Sequence, residues 1–371
     1  MIERSMTSRR SLFSQSVTIA AFLFFSMLLT TLAFFVFDRA FDHQYFVGLA
    51  NTGLAAVQLS GIDLVDLKAQ AVAVVFYVLT TPSRWLGGSD LAHVLWMRLV
   101  TMIGVLLCFE WVRLVSAIHF VPSIVRKARS RFILLIMLYP GQIAWNVSLL
   151  RDGPSCALLF IGLYAWMRKH RIIGLSLLCA AIALRPEFIA VLGIIGTSVY
   201  LICKLNIQKF RLLCLIVGWV ILSLLSFEPR SKASEFSQNA FAEGGAAYPV
   251  ISNVFDFVGY FNVLLQGLLD PISLSSLGGL TPFFVLEVLF FLYLLMVAVC
   301  RLKSANVETA GLLIGTLLSL WLFAYFEIFV SGFARHRYAL TVLLIALVSL
   351  PKPTRPSVGA RLRSIDRLKE I

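Results

Sequence analysis

The sequence predicts an all-α polytopic integral membrane protein with about ten transmembrane helices, and three observations predict it. Of its 371 residues, 59% are hydrophobic and only 14% are charged, against roughly a quarter charged in soluble domains. The mean hydropathy is +0.89. Apolar stretches approaching the roughly 20 residues of a bilayer crossing recur along most of the chain. Basic residues gather between alternate pairs of those stretches, as they do in the short loops that stay in the cytoplasm.

Taken in order, the first stretch, about 15–37, follows Arg4, Arg9 and Arg10. It is longer than the roughly 7–15 apolar residues of a cleaved signal and reads as an anchor crossing outward. Further crossings follow at about 94–117, 131–149, 154–167, 172–185, 187–203, 211–227, 281–301, 308–330 and 337–350, with both termini inside. The inner segments then hold Arg126, Lys127, Arg129 and Arg131; Arg168, Lys169 and Arg171; Lys204, Lys209 and Arg211; and Arg301 and Lys303. With the basic termini these make up roughly two-thirds of the 32 Lys and Arg, the asymmetry that orients a membrane chain. The same rule accounts for the net charge of +13 without nucleic acid as a partner, since no aromatic–basic surface for stacking bases is present.

Two stretches do not read as spans. Residues 69–80, "AQAVAVVFYVLT", are too short and are expected to form a re-entrant or interfacial helix within an outer segment, about 38–93. A second outer segment, about 228–280, is polar and then amphipathic, as a helix lying on the outer face would be. Residues 1–350 are read as one multi-span domain, and 351–371 as a basic tail against the inner leaflet. No internal repeat of the kind found in many transporters is visible. The six cysteines lack paired or zinc-ligand spacing and read as small buried hydrophobes.

Once the inner loops are subtracted, the remaining ionisable residues fall at one level. Asp38, Arg39, Asp42 and His43 follow the first span, and Arg98 lies near the outer start of the second. Arg151 and Asp152 occupy the turn between the third and fourth, and Arg185 and Glu187, in "LRPEF", join the fifth and sixth. Glu287 and Glu327 lie in outer halves of spans, and Arg335, His336 and Arg337 precede the last. Each has a plain structural reading. Arg39 is solvated, Glu110 pairs with Arg113 three residues on, Gly153 and Pro154 start a helix after Arg151–Asp152, Arg185 and Glu187 satisfy each other, and "RHR" anchors to headgroups. Together, arginines from three separate turns point instead to an anion. Arginine keeps its charge and presents a planar fork that grips phosphate oxygens.

At these residues the chain resembles a known group. "YPGQIAWNVSLLRDGPSCALLFIGLYAWMRKHRIIGLSLLCAAIALRPEFIAVL" resembles the core of bacterial O-antigen and exopolysaccharide polymerases (Wzy/EpsG-like). "FARHRYALTVLL" is similar to the late "RY" element, and "FDHQYFVGLANTG" to the first outer loop, of the wider GT-C class of membrane glycosyltransferases. The resemblance implies polyprenyl-phosphate- or diphosphate-linked sugars as substrates on the outer face of the bacterial inner membrane, with a chain-length regulator or flippase as candidate partners. Carried over onto this sequence, it implies that Arg151, Arg185 and Arg335 or Arg337 hold the diphosphate and that Asp42, or its rival His336, serves as the base; Asp152 and Glu187 stand beside these arginines as further substrate-binding candidates. The first-loop acids, Asp38 and Asp42, depart from the close acidic pair of the larger GT-C enzymes, so no metal or cofactor is expected. Two alternatives remain open at this point: a GT-C enzyme adding one sugar from a polyprenyl-monophosphate donor, and a transporter or flippase for a lipid-linked glycan.

Overall fold

A computed structural model describes residues 2–36, 43–53, 64–116, 122–144, 150–205, 210–240, 256, 258–259, 281–326 and 337–351. Among the described residues the architecture is entirely helical. In chain order the helices are α1 (Ile2–Val36), α2 (His43–Thr52), α3 (Leu64–Leu79), α4 (Thr81–Trp85), α5 (Asp90–Val115), α6 (Pro122–Leu138) and α7 (Gly141–Ala144). They continue as α8 (Asp152–Met167), α9 (Arg171–Leu184), α10 (Phe188–Leu205), α11 (Arg211–Ala240), α12 (Thr281–Leu302), α13 (Val307–Phe326) and α14 (Tyr338–Ser349). Three segments, Ser16–Phe35, Asp90–Val115 and Val285–Leu302, are long and apolar enough to cross a membrane. Shorter apolar helices include Ala69–Leu79, Arg171–Leu184, Phe188–Lys204, Arg211–Leu225, Val307–Phe323 and Tyr338–Ser349.

The most interior element is α14. All twelve of its residues are buried, and α5, α6, α8, α12 and α13 surround it. Its sequence, YALTVLLIALVS, is apolar on every side, which suits only an enclosed helix. Its two aliphatic hydroxyls bond back within the helix: Thr341 donates to the Arg337 carbonyl at 3.0 Å and Ser349 to the Ile345 carbonyl at 2.7 Å.

Small residues bring the surrounding helices close. A methyl group added at Gly104 on α5 would lie 2.3 Å from Ala157 Cα on α8. Gly162 on α8 faces Gly174 on α9. On α13, Gly311 and Gly315 are four residues apart, and they seat Val199 and Ile195 of α10 against the helix backbone. This spacing of small residues lets helices approach where lipid tails offer no hydrophobic drive to associate. The bundle's outward side is apolar: Phe24, Phe35, Ile172, Ile189 and Leu225 are all exposed, a surface that a bilayer would solvate.

The two ends of the bundle differ. At one end, Glu110 takes Arg113 Nε at 2.9 Å and pairs with Arg129 as well, so the expected Glu110–Arg113 pair forms. Arg211 donates to the Leu302 and Ala305 carbonyls at 2.7 and 2.6 Å, and Arg301 to the Leu347 carbonyl at 2.9 Å. Cations here complete the carbonyl ends of helices. The tight turn between α8 and α9 lies at this end too, with Lys169 at φ 67°.

At the other end, α2 to α4 fold onto the start of α5. The His93 ring bridges Ser83 Oγ at 2.7 Å and Asn51 Oδ1 at 2.9 Å. Trp96 Nε1 donates to the Leu79 carbonyl at 2.7 Å, and Gly87 and Gly88, both at positive φ, turn the chain between α4 and α5.

Several expectations change. The span expected at 131–149 is instead α6, which begins at Pro122 and stops at Leu138, where Pro140 and Gly141 break the helix. α11 runs to Ala240, through residues expected in a polar loop. Cys108 and Cys156 are buried, but Cys179 and Cys300 are exposed, because an apolar helix in lipid has no need to hide a thiol. Of the remainder of the second outer segment only residues 256 and 258–259 are described, and the basic tail from 352 onward lies outside the described residues.

Forcing a methyl into the α5–α8 contact separates two packed helices, at a cost of about 1–3 kcal/mol. Gly104→Ala is therefore expected to lower the thermal midpoint of the detergent-purified protein. Gly193→Ala, whose new methyl meets nothing within 4 Å, is expected to leave it unchanged or slightly raised.

Candidate functional site

Asp152 opens α8 and is buried, one residue after the half-buried Arg151. A carboxylate there faces the positive end of the helix dipole, and Pro154 in the first turn forfeits no hydrogen bond. Arg185 closes α9 at φ −142° and ψ 85°, the extended conformation that a following proline, Pro186, favours. Because α8 and α9 are antiparallel, the beginning of one lies beside the end of the other. The Arg185 guanidinium meets the Asp152 carboxylate there, with both side chains no more than 4% exposed. The local Arg185–Glu187 pairing does not form. Glu187 is half-buried at the entrance to α10, and its Oε2 has no hydrogen-bond partner among the described residues.

A second pair lies at the same end. Arg337, the residue before α14, places Nη2 3.3 Å from Glu287 Oε1 of α12, and both side chains are wholly buried. The Tyr139 hydroxyl donates to the same carboxylate oxygen at 3.2 Å. The Arg337 guanidinium rests 4.4 Å over the Phe291 ring. Tyr139 itself stacks between Phe290 and Tyr338, with ring centroids 5.7 and 6.2 Å away.

Arg98 completes the group from α5. It is 5% exposed. Its Nε donates to Ser26 Oγ at 2.9 Å, and its Nη1 donates to the Gln142 carbonyl at 3.0 Å and to Gln142 Oε1 at 2.7 Å. The Tyr338 hydroxyl lies against its guanidinium. Among the described residues no carboxylate pairs with it.

Among the described residues the buried set at this end is thus three arginines, Arg98, Arg185 and Arg337, against two carboxylates, Asp152 and Glu287, one more positive charge than negative. Neutral dipoles hold Arg98, and a buried cation so held favours an arriving anion. A narrow cleft opens beside the set, lined by Asp152, Ser155, Arg185, Phe188, Phe323, Tyr338 and Ala339. Its free space, about 10 Å³, is room for a single water.

Of the residues singled out from the sequence, Asp152 and Arg185 line the cleft. Arg337 lies behind it, fully buried against Glu287. Arg151 and Glu187 flank it in sequence without lining it. Asp42, Arg335 and His336 lie outside the described residues. Tyr139 and Tyr338 were not among the expected site residues, and Arg98 was placed at the right level without a role. A buried-depth arginine in an apolar helix was the available signal for Arg98; an isolated tyrosine beside a helix break carries none. Among the described residues no three His, Cys, Asp or Glu side chains gather closely enough to hold a metal ion.

Comparison with protein-family models, with curated proteins and with solved structures gives no match.

Removing one partner of a buried ion pair strands the other and costs about 3–5 kcal/mol. Asp152→Ala and Arg185→Ala are each expected to lower the unfolding midpoint strongly. The double variant is expected to lose less than the sum of the two, a coupling read from a thermal double-mutant cycle.

Proposed function

We propose that this chain is a glycosyltransferase of the bacterial inner membrane that joins polyprenyl-diphosphate-linked repeat units into a cell-surface polysaccharide. The observation that supports it is the gathering of Arg98, Arg185 and Arg337 from three separate segments at one end of the bundle, with one positive charge more than negative among the described buried residues there. That end is the outer one in the threading that keeps the basic loops and both termini in the cytoplasm, and about ten apolar segments cross in that scheme.

In this reading the acceptor hydroxyl attacks the anomeric carbon of the donor sugar. The bond from that carbon to the diphosphate oxygen breaks, and the electron pair leaves with the diphosphate. The hydroxyl proton passes to a base, Asp42 or His336. Arg185 and Arg151, with the field of Arg98 behind Tyr338, stabilise the charge growing on the leaving group. The cleft as it stands has room for no more than one water, so a phosphoryl group enters by taking the Arg185 fork from Asp152, one charge-assisted partner replacing another. Arg337 holds Glu287 and Tyr139 in place beneath the site.

Lysine keeps the charge of arginine but not its bidentate fork. In a strain whose polymer depends on this chain, Arg185→Lys and Arg98→Lys are expected to cut long polymer by about tenfold or more with protein level unchanged. Arg151→Ala is expected to do the same. Normal chain lengths in all three would remove the reading. A glycan carrying one added sugar in place of repeats would replace it with single-sugar transfer from a polyprenyl-monophosphate donor.

A further inference from the structure

Next to the charged cleft is a second space of different character. A chamber of about 180 Å³ lies between α5, α8, α10 and α14, with walls that include Trp111, Leu159, Phe188, Leu192, Gly196 and Ala339. All of its lining residues are apolar. Phe188 and Ala339 also line the charged cleft, so the two spaces share a wall and meet at the Arg185–Phe188 turn.

The chamber follows from the way the chain divides at that turn. α9 goes back along α8, whereas α10 leans on α13 through Gly311 and Gly315. The two helices diverge from Arg185, and the gap between the α8–α9 pair and the α10–α13 pair is not filled by side chains. An empty apolar cavity of this size is costly, since its walls lose contacts on one side. An apolar cavity of about 150 Å³ stays dry and accepts benzene, so this one has room for a short length of hydrocarbon, and the rest of a long chain must leave it. The way out is at Gly196. That residue lines the chamber and is itself exposed, and a methyl group built there meets nothing within 4 Å. Around it the outward face of α10 is apolar, with Ile189 and Leu201 exposed, as lipid contact requires.

We infer that the chamber takes the first part of the hydrocarbon chain of a phosphorylated amphiphile, which enters sideways from the bilayer past Gly196 and brings its head to Arg185 and Asp152. The occupant is a lipid chain and not a free apolar molecule, because one wall of the chamber is also the wall of the charged cleft that carries the Arg185 fork. The site therefore has an apolar and an anion-seeking half set at the spacing of one turn of chain. The inference deepens the proposed function and rests on it for the identity of the head.

The test uses the full chain in phosphatidylcholine nanodiscs and measures binding of three probes: farnesyl diphosphate, inorganic diphosphate and farnesol. Farnesyl diphosphate is expected to bind at least tenfold more tightly than inorganic diphosphate. Gly196→Leu, which narrows the exit, and Val191→Phe, at a buried wall residue of the chamber on α10, are expected to remove that difference while leaving inorganic diphosphate binding and the thermal midpoint unchanged. Equal affinity for farnesyl diphosphate and inorganic diphosphate overturns the inference, as does unchanged farnesyl diphosphate binding in both variants. Farnesol binding as tightly as farnesyl diphosphate, and lost in the variants, supports the chamber as a chain site and removes the phosphate-based reading of the cleft.

Discussion

Everything at the functional end of this bundle depends on how three guanidinium groups are kept out of water. An isolated charge in a medium of low polarity is untenable, and a buried arginine persists only where every direction of its fork is answered. Here the answers differ. Arg185 faces a carboxylate at a helix start, Arg337 faces a carboxylate and an aromatic ring, and Arg98 is held by a hydroxyl and an amide side chain with its carbonyl neighbour. The first two are paired in charge. The third has only neutral partners among the described residues, and in the proposed function it is this cation that draws an anion to the site.

The helices are positioned to make this possible. α14 runs through the interior with its charged residue, Arg337, at its very start, where the helix dipole opposes a cation. Glu287 compensates from α12, and Tyr139 fixes that carboxylate from the break after α6. The break at Pro140 is thus productive: it ends α6 where Tyr139 and Gln142 are needed, one for Glu287 and one for Arg98. Close glycine contacts between α5 and α8, and between α10 and α13, hold the frame rigid on both sides of the gap in which the apolar chamber lies. Rigid walls keep such a gap open, because helices free to collapse would fill it.

In the proposed site the cleft and chamber divide the work of recognising an amphiphile. Arginine forks recognise oxyanions by geometry as well as charge, and an apolar cavity accepts hydrocarbon with little specificity beyond size. In the proposed function the Asp152–Arg185 pair holds the arginine fork until an anion takes the place of the carboxylate, an exchange that costs less than exposing a bare charge.

Much of this was legible in the sequence, for reasons that are local. Helical content, apolar spans and the segregation of basic residues come from composition and short-range pattern, because a bilayer imposes the same demand on every crossing. The starts and ends of α8, α9 and α10 were marked by Asp152, Pro154, Arg185 and Pro186, whose effects are confined to a turn. Partnership was not legible. "LRPEF" offers Glu187 two residues from Arg185, yet the pair forms across an antiparallel hairpin with Asp152. Arg98 finds residues 44 and 72 positions away, and Tyr139 reaches a carboxylate 148 positions on. Sequence by itself determined which groups need burial and which stretches supply it. Only the tertiary structure decided who answers whom, because in a helical bundle side chains meet across interhelical distances that no spacing along the chain encodes.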